Sequence, residues 1–110
     1  MSHWHNESTD LLCDALLSLK TREEAYAFLD DVATVKEILD LAQRLSVARM
    51  LDEGVSYLSI RDATGASTAT ISRVNKCYEY GPGGYRTVLD RLKADSSAEK
   101  TTKEDKEKSK

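Results

Sequence analysis

The sequence predicts an all-α fold that contains a helix-turn-helix, and three patterns support this prediction. Apolar residues recur every three or four positions through most of the chain, as they do on one face of a helix. Ser or Thr residues stand where helices would begin, and glycines stand where helices would end. Between about residues 56 and 78, two short helical segments flank Gly65, which is the arrangement of a helix-turn-helix.

Two helices are predicted before residue 34. The first carries apolar residues at helical spacing: Leu11, Leu12, Ala15, Leu16 and Leu19. The second begins at Thr21, because Thr21 and Glu24 form a Ser/Thr-x-x-Glu pattern in which each side chain bonds the other residue's free backbone N–H. Its apolar residues are Ala25, Phe28, Leu29 and Val32.

The third predicted helix is the longest. Thr34 and Glu37 repeat the capping pattern, and the helix is expected to continue through about Leu51 and to be ended by Gly54. Apolar residues cover most of its circumference. A helix of this kind must be buried on several sides, which a 110-residue monomer can hardly arrange alone. A second subunit is therefore expected to cover it.

Ser56 and Ser67 are expected to cap the two short helices of the helix-turn-helix. Three apolar residues should face inward and pack these helices together: Ile60, Ile71 and Val74. After the glycine-rich residues 81–84, a last helix carries Tyr85, Val88, Leu89 and Leu92. The helical domain is thus expected to span residues 1–93. Residues 94–110 contain no large apolar residue and are expected to form a disordered charged tail.

The formal net charge is −3, but the charge is unevenly distributed. Residues 1–53 hold five Lys and Arg against eleven Asp and Glu, whereas residues 54–93 hold six against three. Binding to DNA phosphates depends on the positive charges at the contact, because these charges release the counterions. The sequence therefore indicates double-stranded DNA as a partner of the helix-turn-helix.

The start of the second short helix is expected to read DNA. Short side chains at Thr68, Ala69 and Ser72 would let the helix enter the major groove, where methyl and hydroxyl groups meet thymine methyls and base acceptors. The expected DNA contacts are Ser67, Thr68, Ala69, Thr70, Ser72, Arg73 and Lys76. The alternative is a helical protein-interaction module that does not bind DNA specifically.

Other classes of protein find little support. The chain has no Ser/His constellation and no P-loop, so no enzyme is expected. His3 and His5 have no further His or clustered Cys with which to form a metal site. No apolar run approaches the roughly 20 residues that cross a bilayer, and the N-terminus lacks a signal peptide. A cytoplasmic, nucleoid-associated protein without a membrane partner is therefore expected.

The run TGASTATISRV at residues 64–74, the long helix before it and the residues Tyr80, Gly81, Gly84 and Tyr85 resemble the Trp repressor superfamily, especially its YerC/YecD branch. The resemblance covers about residues 8–93. It implies six helices per chain, an intertwined homodimer, and a reading head made by the fourth and fifth helices. Two such heads, about 34 Å apart, would select a near-palindromic operator. The implied function is transcriptional regulation, with repression as the expected output.

The resemblance also implies an effector site at Thr34, Arg44 and Arg73, which fall where the Trp repressor clamps its amino acid. Each residue has another interpretation: Thr34 caps a helix, Arg44 pairs with Asp40, and Arg73 binds phosphate. The family's glycine after the second arginine is Val74 here, and its branched side chain would crowd an indole. The sequence therefore disfavours tryptophan. A different small-molecule corepressor and effector-independent DNA binding stay open, and no other cofactor is expected.

Overall fold

The computed structural model describes residues 3–95, and every regular element in this part of the chain is a helix. The all-α, six-helix prediction is thereby confirmed. The helices are α1 (Glu7–Ser18), α2 (Arg22–Val32), α3 (Val35–Asp52), α4 (Tyr57–Thr64), α5 (Thr68–Tyr80) and α6 (residues 84–95).

The chain divides into two compact units, residues 1–39 and 40–110, and the boundary falls within α3. In the first unit, neither α1 nor α2 buries a residue. The buried apolar residues of the described chain all belong to the second unit, and they are Val47, Ala48, Ile60, Ala66, Ile71, Val74 and Leu89. The second unit therefore contains the hydrophobic core, which includes residues from α3, α4, α5 and α6.

The first unit contains three capped helix starts. At α3, the predicted reciprocal cap is confirmed: Thr34 N–H donates to Glu37 Oε1 at 2.9 Å, and Glu37 N–H donates to Thr34 Oγ1 at 3.1 Å. At α2, half of the prediction is wrong. Glu24 N–H donates to Thr21 Oγ1, but the Glu24 carboxylate accepts from Lys20 N–H at 2.9 Å instead of from Thr21. The long Glu24 side chain reaches past the cap to the preceding free N–H group.

The start of α1 was not identified from the sequence. Asn6 caps this helix, and its side chain accepts from Thr9 N–H at 3.0 Å. Thr9 returns the bond, because its hydroxyl oxygen accepts from Asn6 N–H at 2.8 Å. This Asn-x-x-Thr pair does the work of a Ser/Thr-x-x-Glu pair with different side chains.

The ends of α3 and α6 can be compared with the predicted ends. Gly54 has φ +79° and ends α3 as predicted, with Gly54 N–H bonded to Leu51 O and Val55 N–H bonded to Met50 O, both at 3.0 Å. These two bonds are those of a Schellman motif. At the other end, α6 continues through residue 95, two residues beyond the predicted domain boundary. The rest of the predicted tail, residues 96–110, lies outside the described residues.

Candidate nucleic-acid interface

The helix-turn-helix consists of α4, the turn at residues 65–67 and α5. Ser56 and Ser67 cap the two helices, since their side-chain oxygens accept from Ser59 N–H at 3.2 Å and from Thr70 N–H at 3.1 Å. Gly65 has φ +75°, and its N–H closes α4 on Arg61 O at 2.9 Å. A left-handed residue costs other side chains free energy, so glycine suits this position. The predicted caps and turn are confirmed.

Apolar packing holds the two helices of the motif together. Ile60, Ile71 and Val74 are buried, as the sequence predicted. Full burial of an isoleucine contributes about 1.5–3 kcal/mol. Ala66 in the turn is also buried, with 2% of its surface exposed, and it was not identified from the sequence. The sequence signal for this burial was that Ala66 is a small apolar residue between the turn glycine and the cap of α5.

Two polar side chains hold the turn itself. The Thr64 hydroxyl donates to Ile60 O at 2.8 Å and accepts from Ala66 N–H at 3.1 Å. Gln43 of α3 donates through Nε2 to Thr64 O at 3.2 Å. The end of α4 is thus bonded to the helix that supports it. Gln43 was missed in the sequence, where a polar residue among the apolar residues of α3 was its only signal.

The expected DNA-contacting residues of α5 fall into two groups. Thr68, Ala69, Ser72, Arg73 and Lys76 are exposed, and their spacing places them on one face of the helix. By contrast, the Ser67 hydroxyl caps the helix and donates to the half-buried Thr70 hydroxyl at 3.0 Å. The five exposed side chains therefore form a surface, which we call the reading face. Ser67 and Thr70 first serve the local structure.

The reading face carries positive charge and no carboxylate. Arg73 and Lys76 are the charged residues between positions 68 and 76, and the acidic Glu79 comes only in the last turn of α5. The N-terminus of a helix adds a partial positive charge of about +0.5 from its free N–H groups. Small side chains at the start of the helix, followed by two cations, make a surface that can approach a polyanion closely.

A pocket of about 510 Å³ lies behind α5, between α3 and α6. Its lining residues are Asp40, Gln43, Arg44, Thr70, Arg73, Val74, Cys77 and Tyr85. The pocket brings Arg44 and Arg73 together, two of the three residues predicted for an effector site. The third, Thr34, belongs to the first unit, where it caps α3.

The chemistry of the pocket suits an anion. The guanidinium groups of Arg44 and Arg73 line the pocket together with the Asp40 carboxylate, so cationic groups outnumber anionic ones in the lining. Burial raises the pKa of the Tyr85 phenol above its ordinary value; Cys77 raises this pKa further and Arg44 opposes the rise. Tyr85 was not predicted as a pocket residue, because its approach to α3 and α5 depends on how α6 packs and not on local spacing.

These features define the class of small helical proteins built around a helix-turn-helix. The family model of the Trp repressor protein matches residues 7–93, and the chain belongs to this family. The family is one of DNA-binding regulators and not of enzymes.

Three relatives agree with this assignment. The uncharacterized protein YerC of Bacillus subtilis (strain 168) is 57% identical over 84 residues, which are 76% of this chain and 81% of YerC. The crystal structure of a candidate Trp repressor from Staphylococcus aureus has 47% sequence identity and a TM-score of 0.78, and the match covers 81% of this chain and 89% of that one. The crystal structure of a TrpR-like protein from Eubacterium eligens ATCC 27750 has 53% identity and a TM-score of 0.77, with 79% and 90% covered.

Two other kinds of feature are absent between residues 3 and 95. No helix in that range is long and apolar enough to span a membrane. Nor does that range bring together three or more His, Cys, Asp or Glu side chains that could hold a metal ion.

Proposed function

We propose that the protein is a sequence-specific DNA-binding repressor, and that it reads its operator with the first turns of α5. The reading face carries this proposal: Thr68, Ala69 and Ser72 are exposed and small, while Ile71 and Val74 on the same helix are buried in the core. Small polar and methyl groups match the major-groove edges of bases, and Arg73 and Lys76 match phosphates. Repression follows from steric exclusion of polymerase at the bound operator, in the cytoplasm where the chromosome lies.

The proposed repressor acts as a two-fold homodimer on a near-palindromic operator. In a single chain, α1 to α3 expose many large apolar side chains: Leu11, Leu12, Leu16, Leu17, Tyr26, Val32, Val35, Leu39, Leu41 and Leu45. Apolar surface of this extent marks an interaction site on a protein. A second copy of the chain is the simplest occupant, because a closed two-fold dimer covers the same surface on both subunits. Two reading faces about 34 Å apart then meet successive major grooves on one side of the duplex.

Three substitutions at Ser72 test the proposal. Ser72→Asp should abolish specific binding, because a carboxylate in the groove is repelled by the phosphates and the exposed position leaves the core intact. The Asn side chain of Ser72→Asn has nearly the same shape as aspartate but carries no charge. Ser72→Ala removes only the hydroxyl. Fluorescence anisotropy with fragments of the protein's own genome gives the affinities, and circular dichroism checks the fold. Full binding by folded Ser72→Asp protein would refute the proposed reading face.

The salt response separates DNA recognition from the alternative of a protein-interaction module. DNA affinity should fall with salt at a log-log slope of about −0.9 for each neutralised phosphate. A packed apolar contact between proteins changes little over the same range. Replacing Lys76 by Gln should reduce the steepness of the slope by about 0.9, the value for one phosphate contact. It should weaken the affinity for all DNA sequences equally. A slope near zero for wild-type protein would instead favour the interaction module.

We also propose that the pocket behind α5 binds a small anionic corepressor other than tryptophan. The support is the pair of guanidinium groups, those of Arg44 and Arg73, that line one pocket in which Asp40 is the acidic lining residue. Arg73 belongs both to the reading face and to the lining of the pocket, so an anion bound there would fix its position. Sulfate is a suitable probe, and it should raise the melting temperature of wild-type protein more than that of Arg44→Gln protein. Equal shifts in both proteins would refute this site.

A further inference from the structure

The three helices that line the pocket meet a second time in a polar cluster of four residues, Asp52, Tyr78, Arg86 and Lys93, which we call the polar clamp. Asp52 of α3 is its centre, and 12% of its side chain is exposed. One carboxylate oxygen accepts from the Tyr78 hydroxyl at 2.5 Å, and the other pairs with the Lys93 ammonium group. The clamp therefore joins the end of α3 to α5 and to α6.

Arg86 completes the clamp from a different side. Its guanidinium lies 4.2 Å from the centre of the Tyr78 ring, and its Nε donates to the backbone carbonyl of Tyr78 at 3.1 Å. That carbonyl belongs to the last turn of α5, where carbonyls lack a partner within the helix. Arg86 thus caps α5 and also holds the ring whose hydroxyl reaches Asp52.

The electrostatics of the clamp show that its members depend on one another. The bonds from Lys93 and Tyr78 lower the pKa of Asp52, and the bond to Asp52 raises the pKa of both Tyr78 and Lys93. A carboxylate withdrawn from water is costly without partners. Loss of one partner would therefore weaken the arrangement of the whole cluster.

The clamp supplies a constraint that the apolar core does not. Ile71 and Val74 attach the first half of α5 through apolar contacts, which have no preferred direction. A hydrogen bond has a preferred distance and angle, so the bond from Tyr78 fixes the rotation of the second half. Tyr78 directly follows Cys77, and Arg86 directly follows Tyr85, so the clamp also adjoins two lining residues of the pocket.

We infer that the polar clamp sets the orientation of the reading helix, and that Tyr78, Asp52 and Lys93 are positioning residues for operator recognition. The part of this inference that concerns operator binding rests on the proposed function. The structural part concerns the chain alone: without the Tyr78 hydroxyl, the end of α5 is released from α3, whereas Lys93 still pairs α6 with Asp52. A freer reading helix should lose affinity for the operator while it keeps affinity for unrelated DNA, because loose phosphate contacts tolerate small rotations.

Tyr78→Phe tests the inference, and Tyr80→Phe is its matched control. The first change removes the hydroxyl that bonds Asp52 and keeps the ring under Arg86. The second removes the hydroxyl of a tyrosine on the same helix that is 81% exposed. In Tyr78→Phe, we expect amide hydrogen exchange to quicken about tenfold in the second half of α5 while exchange in α4 stays unchanged. We expect operator affinity to fall about tenfold with unchanged affinity for unrelated DNA. Tyr80→Phe should change neither quantity.

The possible results bear on different parts of the inference. Faster exchange in the second half of α5 without a loss of operator preference would overturn the positioning role and leave only a stabilising one. A loss of operator preference without faster exchange would also overturn it, because the hydroxyl would then act by another route. If wild-type protein binds no DNA specifically, the proposed function fails, whereas equal exchange in both variants refutes the clamp.

Lys93→Arg should restore most of the operator preference that Lys93→Gln loses, since arginine keeps the charge that pairs with Asp52.

Discussion

The Tyr78 hydroxyl donates a hydrogen bond of 2.5 Å to Asp52 across 26 positions of sequence, and it joins the reading helix to the end of α3. The bond has consequences for stability on both sides of neutral pH. Asp52 has a lowered pKa, so its contribution is present above its ordinary value of 3.8 and is lost as the pH falls through the lower folded value. Tyr78 has a raised pKa, so its contribution is present below 10.0 and is lost as the pH rises through the folded value.

The first prediction is that Tyr78→Phe flattens the alkaline part of this pH dependence. At neutral pH the variant should lose about 1.5–3 kcal/mol of unfolding free energy, the usual contribution of a hydrogen bond to a charged group. Above pH 10 the difference from wild type should shrink, because Tyr78 ionises first in the unfolded chain and this favours unfolding of the wild type. The bond itself is lost when the pH passes the raised pKa of the folded phenol. Urea unfolding followed by circular dichroism between pH 7 and 11 measures both effects. Tyr80→Phe should follow the wild-type curve, and a constant difference at all pH values would contradict the assignment.

Gly65→Ala tests the turn of the helix-turn-helix. No atom lies within 4 Å of a Cβ added at Gly65, so the cost is conformational and comes from φ +75°. We expect a loss of about 1–2 kcal/mol in unfolding free energy. Gly84→Ala is the control, since Gly84 also has open space but no positive φ, and it should be neutral or stabilising by about 0.4–1 kcal/mol. Equal losses at both positions would show that the left-handed conformation of Gly65 does not set the cost.

Gln43→Met tests the bond that ties the turn to α3. Methionine has a similar volume but cannot donate to Thr64 O, which Gln43 reaches at 3.2 Å. The loss of one hydrogen bond to a partly buried carbonyl should cost about 1 kcal/mol, and amide exchange at residues 64–67 should quicken. Gln43→Glu gives the same loss of a donor with an added charge. Unchanged exchange in both variants would show that the turn does not depend on α3.

The sequence predicts much of this fold because most of its signals are local. The caps at Thr34, Ser56 and Ser67 and the turn at Gly65 depend on residues three or four positions apart, and all are observed. The inward positions of α4 and α5 follow from helical spacing alone. The sequence did not reveal the start of α1 at Asn6, because the partner of Asn6 is a threonine and not the Glu or Gln of the usual capping pattern.

The parts that the sequence did not reveal depend on distant residues. Asp52 stands near the C-terminus of α3, where the helix dipole disfavours a carboxylate, and that oddity was the available signal for a cationic partner. Nothing local indicates that the partner is Lys93, which is 41 positions away. The hydrogen bond from Gln43 to the Thr64 carbonyl likewise joins residues that are distant in sequence, and no local pattern indicates it. The pocket was foreseen at Arg44 and Arg73 through a family resemblance, and not through spacing.

Val74→Gly tests why tryptophan is disfavoured as the effector. Val74 is a buried core residue that also lines the pocket, so its removal should cost about 3 kcal/mol and open space beside Arg73. Calorimetry at low temperature, where the variant remains folded, should show no heat of tryptophan binding for wild type and a measurable heat for the variant. Equal heats in the two proteins would remove the argument that the valine excludes an indole.

The last prediction concerns the second subunit. In one chain, the fully buried residues of α3 are Val47 and Ala48, although apolar residues surround this helix, and Leu41 remains 54% exposed. If a second copy covers this surface, Leu41→Glu places a charge in an apolar interface and should convert the protein to monomers. Sedimentation velocity should then give the mass of a dimer for wild type and of a monomer for the variant. Ser72→Asn is the control, because the reading face must stay open to DNA and should not affect assembly. Since a monomer presents one reading face, it should also lose the preference for a two-fold operator. Wild-type protein that sediments as a monomer at micromolar concentration would leave the exposed surface of α3 to a different partner.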